Sequence, residues 1–331
     1  MSLQFLAALP PPSPLGDVFV AFLSIVFEGA PYILLGTIIS GFIDAFLPAK
    51  LLDRMLPKNR VLATVLSGFL GLIFPVCECA VVPVVRRLVS KGLPISCAIT
   101  YLLSAPIINP IVIFSTLNAF KNVDAAQGVL GSVEMTIARV SLGYLIAVVV
   151  GLSLLRKKPA DVLIPSIAAA MEKLPAPQNV EPAAEGRSFN ARLVSAMRTA
   201  MNDFLDTAMY FALGVAITSV FNTQIDQSAI DVVAGRDWTA VPSLMGLAFV
   251  LALCSTSDAF IAAPMAAFSS AAKLAFLVFG PMLDVKLVFM YSSLFRRKFV
   301  IGLCVAMFAL VAGLSVPWVS LINQAAALFQ R

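Results

Sequence analysis

The sequence predicts an all-α protein that crosses a membrane several times. Hydrophobic residues make up 60% of the 331 residues, charged residues make up only 12%, and the mean hydropathy is +0.95. Soluble domains carry about 25% charged residues, so the composition excludes an ordinary soluble fold. The apolar residues are gathered into runs of about 20, the length that a helix needs to cross a hydrocarbon core of about 30 Å.

Charge and composition also exclude several function classes. The net charge of +5 is spread over short loops, which indicates topology and not nucleic-acid binding. The sequence contains no histidine, no phosphate-binding loop and no dinucleotide fingerprint. It therefore predicts no catalytic residue, no cofactor and no metal site. An odd number of cysteines inside apolar runs does not resemble a secreted disulfide framework. These five are Cys77, Cys79, Cys97, Cys254 and Cys304.

A first membrane unit is predicted over residues 17–158. Residues 1–16 are interpreted as a short non-helical leader. The first crossing covers Asp17–Phe46, and the basic loop that follows it indicates the cytoplasmic side by the positive-inside rule. Two later apolar runs, 94–119 and 129–155, give the second and third crossings.

Between the first and second crossings lies the segment on which the rest of the prediction depends, Phe74–Pro83. It places two thiols, a carboxylate and two prolines within apolar sequence. A carboxylate at bilayer depth is costly unless it faces a cavity or a partner. Pro75 and Pro83 each remove a backbone donor and are predicted to break a helix. We predict a re-entrant hairpin with its tip at 77–79, and eight full crossings is the alternative topology.

A second interruption is predicted inside the run 94–119. Pro106 and Pro110 lie four positions apart there, which should leave carbonyl groups unpaired near mid-membrane. The third crossing ends at three consecutive basic residues, 156–158. Residues 159–190 are then interpreted as a polar cytoplasmic linker rich in Pro, Ala and Glu.

The second membrane unit, residues 191–331, repeats the first. At an offset of 178, the stretch 28–42 aligns with 206–220, and an acid in one stretch faces an acid in the other. The Cys77–Cys79 segment faces 254–258, and Pro264 corresponds to Pro83. At an offset of 175, Pro106 aligns with Pro281. Each unit has three crossings, which is an odd number, and a hairpin that returns to the side from which it entered. The two units should therefore be inverted relative to each other, as in many secondary transporters.

Polar residues at the predicted breaks are the candidate site residues. Those predicted to contact a substrate are Cys77, Glu78, Cys79, Asn109, Asp258 and Asp284. Those predicted to carry a coupling proton are Glu28, Glu78, Asp206 and Asp258. Those predicted to break helices are Pro75, Pro83, Pro106, Pro110, Pro264 and Pro281.

Each candidate also has a structural interpretation. The thiols could pack a crowded hairpin tip, and the acids could cap helix N-termini or form ion pairs. Two cations at membrane depth need partners as well. Arg139 is expected to pair with Glu134 or a central acid, and Lys286 with Asp284 or Glu78.

Two of these segments carry a family resemblance. Pro75–Pro83 reads PVCECAVVP, and Ser104–Pro110 reads SAPIINP. With Asp258 and 280–284 of the second unit, they resemble the predicted permeases that include ArsP-type organoarsenical efflux proteins. The resemblance covers both membrane units and implies a permease that exports small, soft, trivalent arsenic species. It implies no enzymatic activity.

The predicted function is therefore a proton-coupled secondary transporter in the inner membrane. Its predicted partners are a small-molecule substrate, protons and the lipid bilayer, with no nucleic acid, and no feature specifies an oligomeric state. Two alternatives stay open. One is a permease for a small sulfur- or selenium-containing anion, which would use Arg139 or Lys286. The other is a membrane-embedded thiol oxidoreductase that uses Cys77 and Cys79.

Overall fold

The computed structural model describes residues 14–47, 57–73, 76–121, 130–165, 167–168, 189–222 and 237–329. Within these ranges the fold is helical, with one isolated β-bridge between Leu163 and Phe295. The described helices are α1 Pro14–Phe46, α2 Arg60–Ser67, α3 Leu70–Ile73, α4 Glu78–Ser90, α5 Ile95–Ser104, α6 Pro110–Ala119, α7 Ser132–Ser153, α8 Pro159–Val162, α9 Phe189–Asn222, α10 Asp237–Leu251, α11 Asp258–Ala262, α12 Ser270–Met282, α13 Val285–Ser292 and α14 Arg297–Phe329.

Five stretches of the described chain are long and apolar enough to cross a membrane. They are Leu15–Phe46, Ser132–Ser153, Phe189–Phe221, Ser270–Ser292 and Arg297–Ala326. The predicted crossing at 94–119 is divided between α5 and α6, each of ten residues. The prediction of an all-α polytopic membrane protein is therefore confirmed.

The order of helices recurs between the two halves. In each half a long helix comes first, α1 or α9. An interrupted segment follows, α2–α4 or α10–α11, then a broken helix, α5–α6 or α12–α13, and last a second long helix, α7 or α14. The breaks therefore fall at corresponding places, which agrees with the internal sequence repeat.

The two long helices that open the halves, α1 and α9, lie side by side and run antiparallel. Gly29 of α1 contacts Phe211, whereas Gly41 contacts Ala196, so residue numbers rise along one helix as they fall along the other. This pair is peripheral, because only 6% of the most apolar window of α1 is buried, against 83% for the stretch Ser270–Ser292. The central helices are therefore α12 and α13, and α1 lies at the edge of the helix bundle.

The helix pair meets the rest of the protein closely at two glycines. A Cβ atom at Gly36 of α1 would lie 2.6 Å from the Ala80 carbonyl oxygen of α4. A Cβ atom at Gly214 of α9 would lie 2.6 Å from Cα of Lys286 in α13. The two glycines occupy matching places in the sequence repeat, at the offset of 178. Both positions need a residue without a side chain for the helices to pack.

Four of the predicted helix-breaking prolines lie at or near helix ends. Pro106 lies between α5 and α6, and Pro110 is the first residue of α6, where its missing N–H group costs nothing. Pro264 follows the end of α11. Pro281 is inside α12, in its last turn, one residue before that helix ends.

The prediction that Pro83 breaks a helix is wrong. Pro83 lies inside α4, which continues without interruption from Glu78 to Ser90. Its missing N–H group removes one backbone hydrogen bond. Residues on every side of α4 are buried against its neighbours, so packing holds the helix together through that position. Pro75 lies outside the described residues.

The beginning of the predicted linker is packed and not free. The main-chain N–H of Ile164 donates to the Leu294 carbonyl at 3.1 Å, and that of Arg296 donates to the Val162 carbonyl at 2.9 Å. Val162, Leu163 and Ile167 are buried. The rest of the linker, 169–188, and the leader up to residue 13 lie outside the described residues. The first helix begins at Pro14, three residues before its predicted start.

The two close glycine contacts lead to a stability prediction. Gly36→Ala and Gly214→Ala should each lower the free energy of unfolding by about 1–3 kcal/mol, because overpacking forces the helices apart. Gly302→Ala is the matched control, since a Cβ atom there meets nothing within 4 Å. That change should leave stability equal or higher, because alanine favours helix. Thermal unfolding in detergent measures all three, and equal effects at Gly36 and Gly302 would contradict the packing argument.

Candidate functional site

The break that precedes α4 positions three candidate residues. Cys77 has an extended backbone, with φ −73° and ψ 171°, and α4 begins at the next residue. Glu78 and Cys79 therefore occupy the first turn of α4, where unpaired N–H groups favour a negative charge. Glu78 is only 1% exposed.

A small, partly open pocket lies at this break. Its walls come from both halves of the chain and from the α1–α9 pair. The lining residues are Ile25, Glu28, Gly29, Tyr32, Cys77, Glu78, Cys79, Phe211, Ala252, Cys254 and Lys286. One side of the pocket is therefore the peripheral helix pair, and the other side is the two central breaks.

Three thiols line this pocket, those of Cys77, Cys79 and Cys254. All three are buried and none forms a disulfide. The described residues contain no group of three or more His, Cys, Asp or Glu side chains placed to hold a metal ion. The thiols therefore present soft donors to the pocket without forming a preassembled metal site.

The polar wall of the pocket is an ion pair between the halves. Lys286 Nζ lies 3.4 Å from Glu78 Oε1 and 3.4 Å from Asp284 Oδ2. It also donates to the Ala252 carbonyl at 2.7 Å. Ala252 lies in the break after α10 and has a positive φ of 47°, a strained backbone that is typical of functional sites. The predicted pairing of Lys286 with Asp284 or Glu78 is confirmed for both acids.

The break of the second half contains a second ion pair. Arg139 Nη2 donates to Asp258 Oδ2 at 2.6 Å, and both side chains are buried. Arg139 Nη1 donates to Thr116 Oγ1 at 2.8 Å. Asp258 is the first residue of α11, so it also lies at a helix N-terminus. The predicted pairing of Arg139 with a central acid is confirmed.

Ser255 joins the two ion pairs. Its hydroxyl donates to Glu78 Oε2 at 2.9 Å, and its carbonyl accepts from Arg139 Nη2 at 3.2 Å. Glu78 and Asp258 are therefore linked through one serine, although they do not contact each other directly. The result is a continuous buried chain of polar groups, which we call the central network. It consists of Asp284, Lys286, Glu78, Ser255, Arg139 and Asp258.

The two residues predicted to follow matched prolines both cap helices. Asn109 accepts from the Ile111 N–H at 3.0 Å at the start of α6, and its Nδ2 donates to the Val76 carbonyl at 3.4 Å. Asp284 Oδ1 accepts from the Leu287 N–H at 2.7 Å at the start of α13. Neither lines the pocket, but Asp284 contacts a residue that does.

The two acids predicted at matching places of the first long helices have different surroundings. Glu28 lines the pocket. Asp206 instead pairs with Arg86 at 3.0 Å, and its side chain is 55% exposed. It belongs to an ion-pair cluster at the far end of α4, where Arg87 also binds Asp203 at 2.9 Å. The structure therefore brings Glu28, and not Asp206, to the pocket.

Sequence reasoning did not select two residues of this site, Cys254 and Ser255. A signal was present, because the repeat alignment sets the segment 254–258 opposite Cys77–Cys79. The local sequence, however, does not show that Cys254 lines a pocket together with residues of the other half. Only the packing of the two breaks reveals that contact.

The buried pair of Arg139 and Asp258 can be tested by a double-mutant cycle. Arg139→Met should lower the free energy of unfolding by about 3–5 kcal/mol, because it leaves Asp258 buried without a cation. Adding Asp258→Asn should recover a large part of that loss. Arg86→Met is the matched control and should cost at most about 1 kcal/mol, because its partner Asp206 is exposed. Thermal unfolding in detergent compares them. Equal losses for Arg139→Met and Arg86→Met would contradict a buried central pair.

Comparison with known proteins identifies a family and two relatives. The profile of the predicted permease family ArsP_1 matches residues 15–316. The UPF0718 protein YcgR of Bacillus subtilis (strain 168) is 34% identical over 284 residues, which cover 84% of this chain and 89% of that protein. The putative two-component membrane permease complex subunit of Streptococcus mutans serotype c (strain ATCC 700610 / UA159) is 33% identical over 311 residues, 91% of this chain and 97% of that protein.

No solved structure matches this chain at a significant level. The family profile covers almost the whole membrane region, and both relatives align along most of their length. The chain therefore belongs to the ArsP_1 family of predicted permeases.

Proposed function

We propose that this protein is a secondary transporter that exports a small, soft solute from the cell, with trivalent organoarsenicals as its leading substrate. The observation that carries this proposal is one pocket lined by Cys77, Cys79 and Cys254. Thiol groups prefer soft centres over hard ones. A methylated trivalent arsenic with two hydroxyl groups can exchange them for two thiols, forming two As–S bonds and releasing two waters.

The fold supports a mechanism of alternating access. The helices that open the two halves, α1 and α9, run antiparallel, as an inverted repeat requires of equivalent helices. Breaks at corresponding places in the two halves meet at the central network, which is the usual plan of transporters with inverted repeats and discontinuous helices. Under this proposal each unit has three crossings and a re-entrant hairpin, and the protein lies in the inner membrane with its basic loops on the cytoplasmic side.

Proton coupling is supported by acids at the pocket and in the network. Glu28 and Glu78 line the pocket, and Asp258 is connected to it through Ser255. Intramembrane carboxylates of this kind commonly carry protons in transporters. Asp206 contributes through its exposed ion pair at the end of α4, where proton exchange with water is direct.

The two alternatives have weaker support. An anion permease would need a free cation, but both Arg139 and Lys286 are paired with carboxylates. A thiol oxidoreductase would fit the free cysteines of the pocket, but the matching family profile describes predicted permeases, and one relative is named a putative permease complex subunit. Transport is therefore the function that we propose.

Substrate transport can be measured in everted membrane vesicles carrying the full chain. We expect an imposed proton gradient to drive accumulation of methylarsenite, because export from the cell becomes uptake in everted vesicles. The double variant Cys77→Ser/Cys79→Ser should lose at least about tenfold in rate, since oxygen binds soft centres poorly. Cys304→Ser is the matched control, because Cys304 does not line the pocket.

The outcomes separate the parts of this proposal. Loss of flux in the double variant alone supports a thiol site at the pocket. Equal flux in the double variant and in Cys304→Ser would overturn that site. No methylarsenite flux in any protein would overturn the arsenical substrate, and salt-sensitive uptake of a small sulfur anion would favour the anion permease instead.

A further inference from the structure

We propose that Asp284 binds one exchangeable proton, and that Lys286 transmits its protonation to Glu78 at the pocket wall. This inference rests on the proposed proton coupling and assigns it to a particular atom. The sequence suggested Asp284 as a substrate contact, whereas the structure places it behind the pocket, next to the lysine that lines it.

The central network contains more buried acids than buried cations. It contains three buried carboxylates, Glu78, Asp258 and Asp284, and two buried cations, Arg139 and Lys286. If all five were ionised, one negative charge would lack a cation. An uncompensated buried charge is unfavourable enough that the group binds a proton instead. The network therefore has one carboxylate more than its cations can neutralise.

The surplus negative charge lies on the two acids that share Lys286. Arg139 is committed to Asp258 at 2.6 Å, a charge-assisted hydrogen bond of ordinary strength. Glu78 and Asp284 are then left to share Lys286, each at 3.4 Å. That distance is longer than a strong charge-assisted hydrogen bond, so the lysine fully satisfies neither acid.

The carboxylate oxygens of Glu78 and Asp284 differ in their hydrogen bonds. Glu78 Oε2 already accepts from Ser255 at 2.9 Å. Asp284 Oδ1 accepts from the Leu287 N–H, but Asp284 Oδ2 is buried and has no hydrogen-bond partner in the described part of the chain. Asp258 Oδ1 is likewise without a hydrogen-bond partner there, but Asp258 Oδ2 is held by Arg139 at 2.6 Å. A proton can therefore bind Asp284 Oδ2 without displacing a hydrogen bond, at the expense only of its ion pair with Lys286 at 3.4 Å. The same proton on Glu78 would compete with Ser255 or with Lys286.

The groups that face Asp284 do not offer another carrier. In the described part of the chain they include Lys286 and Tyr291 of its own helix and Glu78 of α4, and the thiols of Cys79 and Cys254 lie close to Lys286. The Tyr291 hydroxyl is occupied, because it donates to the Met282 carbonyl at 2.9 Å. The helix α9 meets α13 at Gly214, which has no side chain.

Lys286 lies at the same distance, 3.4 Å, from Glu78 and from Asp284, so a change of charge on one acid affects how strongly the lysine pairs with the other. When Asp284 is protonated, Lys286 has one charged acid left and pairs with Glu78, so the pocket wall is electrically neutral. When Asp284 loses its proton, it attracts Lys286, and Glu78 faces the pocket with an incompletely neutralised charge. Proton occupancy behind the pocket would thus set the charge that a substrate meets inside it.

Infrared difference spectroscopy of the purified full chain in lipid vesicles tests this assignment without any substrate. A protonated buried carboxylic acid gives its own C=O stretching band, which shifts in heavy water. We expect wild type and the exposed-site control Asp17→Asn to show this band and its loss as pH rises. Asp284→Asn should lack the band, Asp284→Glu should show it at a shifted frequency, and Asp258→Glu should show it at the wild-type frequency.

Lys286→Gln gives a second, independent readout. Without the shared cation both Glu78 and Asp284 should be protonated, so the band should become about twice as intense. Persistence of the wild-type band in Asp284→Asn, an unshifted band in Asp284→Glu, or no band in wild type would each overturn the proposal. Thermal unfolding of every variant shows whether a lost band reflects the carboxyl group or a misfolded chain, and Asp284→Glu decides the matter if Asp284→Asn does not fold.

These outcomes are distinguishable from failure of the proposed transport. The infrared measurement reports on the carboxyl group alone, so it can succeed if methylarsenite is not carried. Conversely, methylarsenite flux that follows a proton gradient equally well in wild type and Asp284→Asn would retain the transporter and exclude Asp284 as the coupling acid.

Discussion

The structure depends on the need to neutralise charge that is buried at membrane depth. An unpaired ion in a medium of low polarity is strongly unfavourable, and the loss of one partner leaves the other exposed to that cost. Here the partners come from different halves: Glu78 faces Lys286, and Arg139 faces Asp258. The two halves are therefore held in one arrangement by electrostatics as well as by apolar packing, and neither half alone contains a complete site.

The helix breaks serve this arrangement directly. Each of the three central acids lies at a helix N-terminus, where free N–H groups help to stabilise a carboxylate. Glu78 and Asp258 begin α4 and α11, and Asp284 caps α13. A continuous helix would pair those N–H groups with its own carbonyls and would place the acids against lipid or against apolar side chains. The interruptions thus create polar surroundings without opening the protein to water.

Much of the fold could be predicted from the sequence, because membrane helices are recognisable as apolar runs of about 20 residues. The breaks were also predictable where proline coincided with a polar residue, as at Pro106. Prediction failed where packing overrides a local preference: Pro83 stays helical because α4 is enclosed by its neighbours. The site was only partly predictable. Glu28 and Asp206 look equivalent in the repeat, but one lines the pocket and the other forms an exposed ion pair.

The distribution of the central ion pairs along the chain has a consequence for biosynthesis. Glu78 and Lys286 are 208 positions apart, so at about 5–20 residues synthesised per second the acid precedes its lysine by roughly 10–40 s. During that interval the growing chain contains a carboxylate, Glu78, whose cation has not yet been synthesised. Such a segment is stable only at a wet interface or against an insertion factor, so the first half should settle into the bilayer late, together with the second. A ribosome that stalls after the first half would leave a product that the cell's membrane quality control can recognise by its unpaired charge.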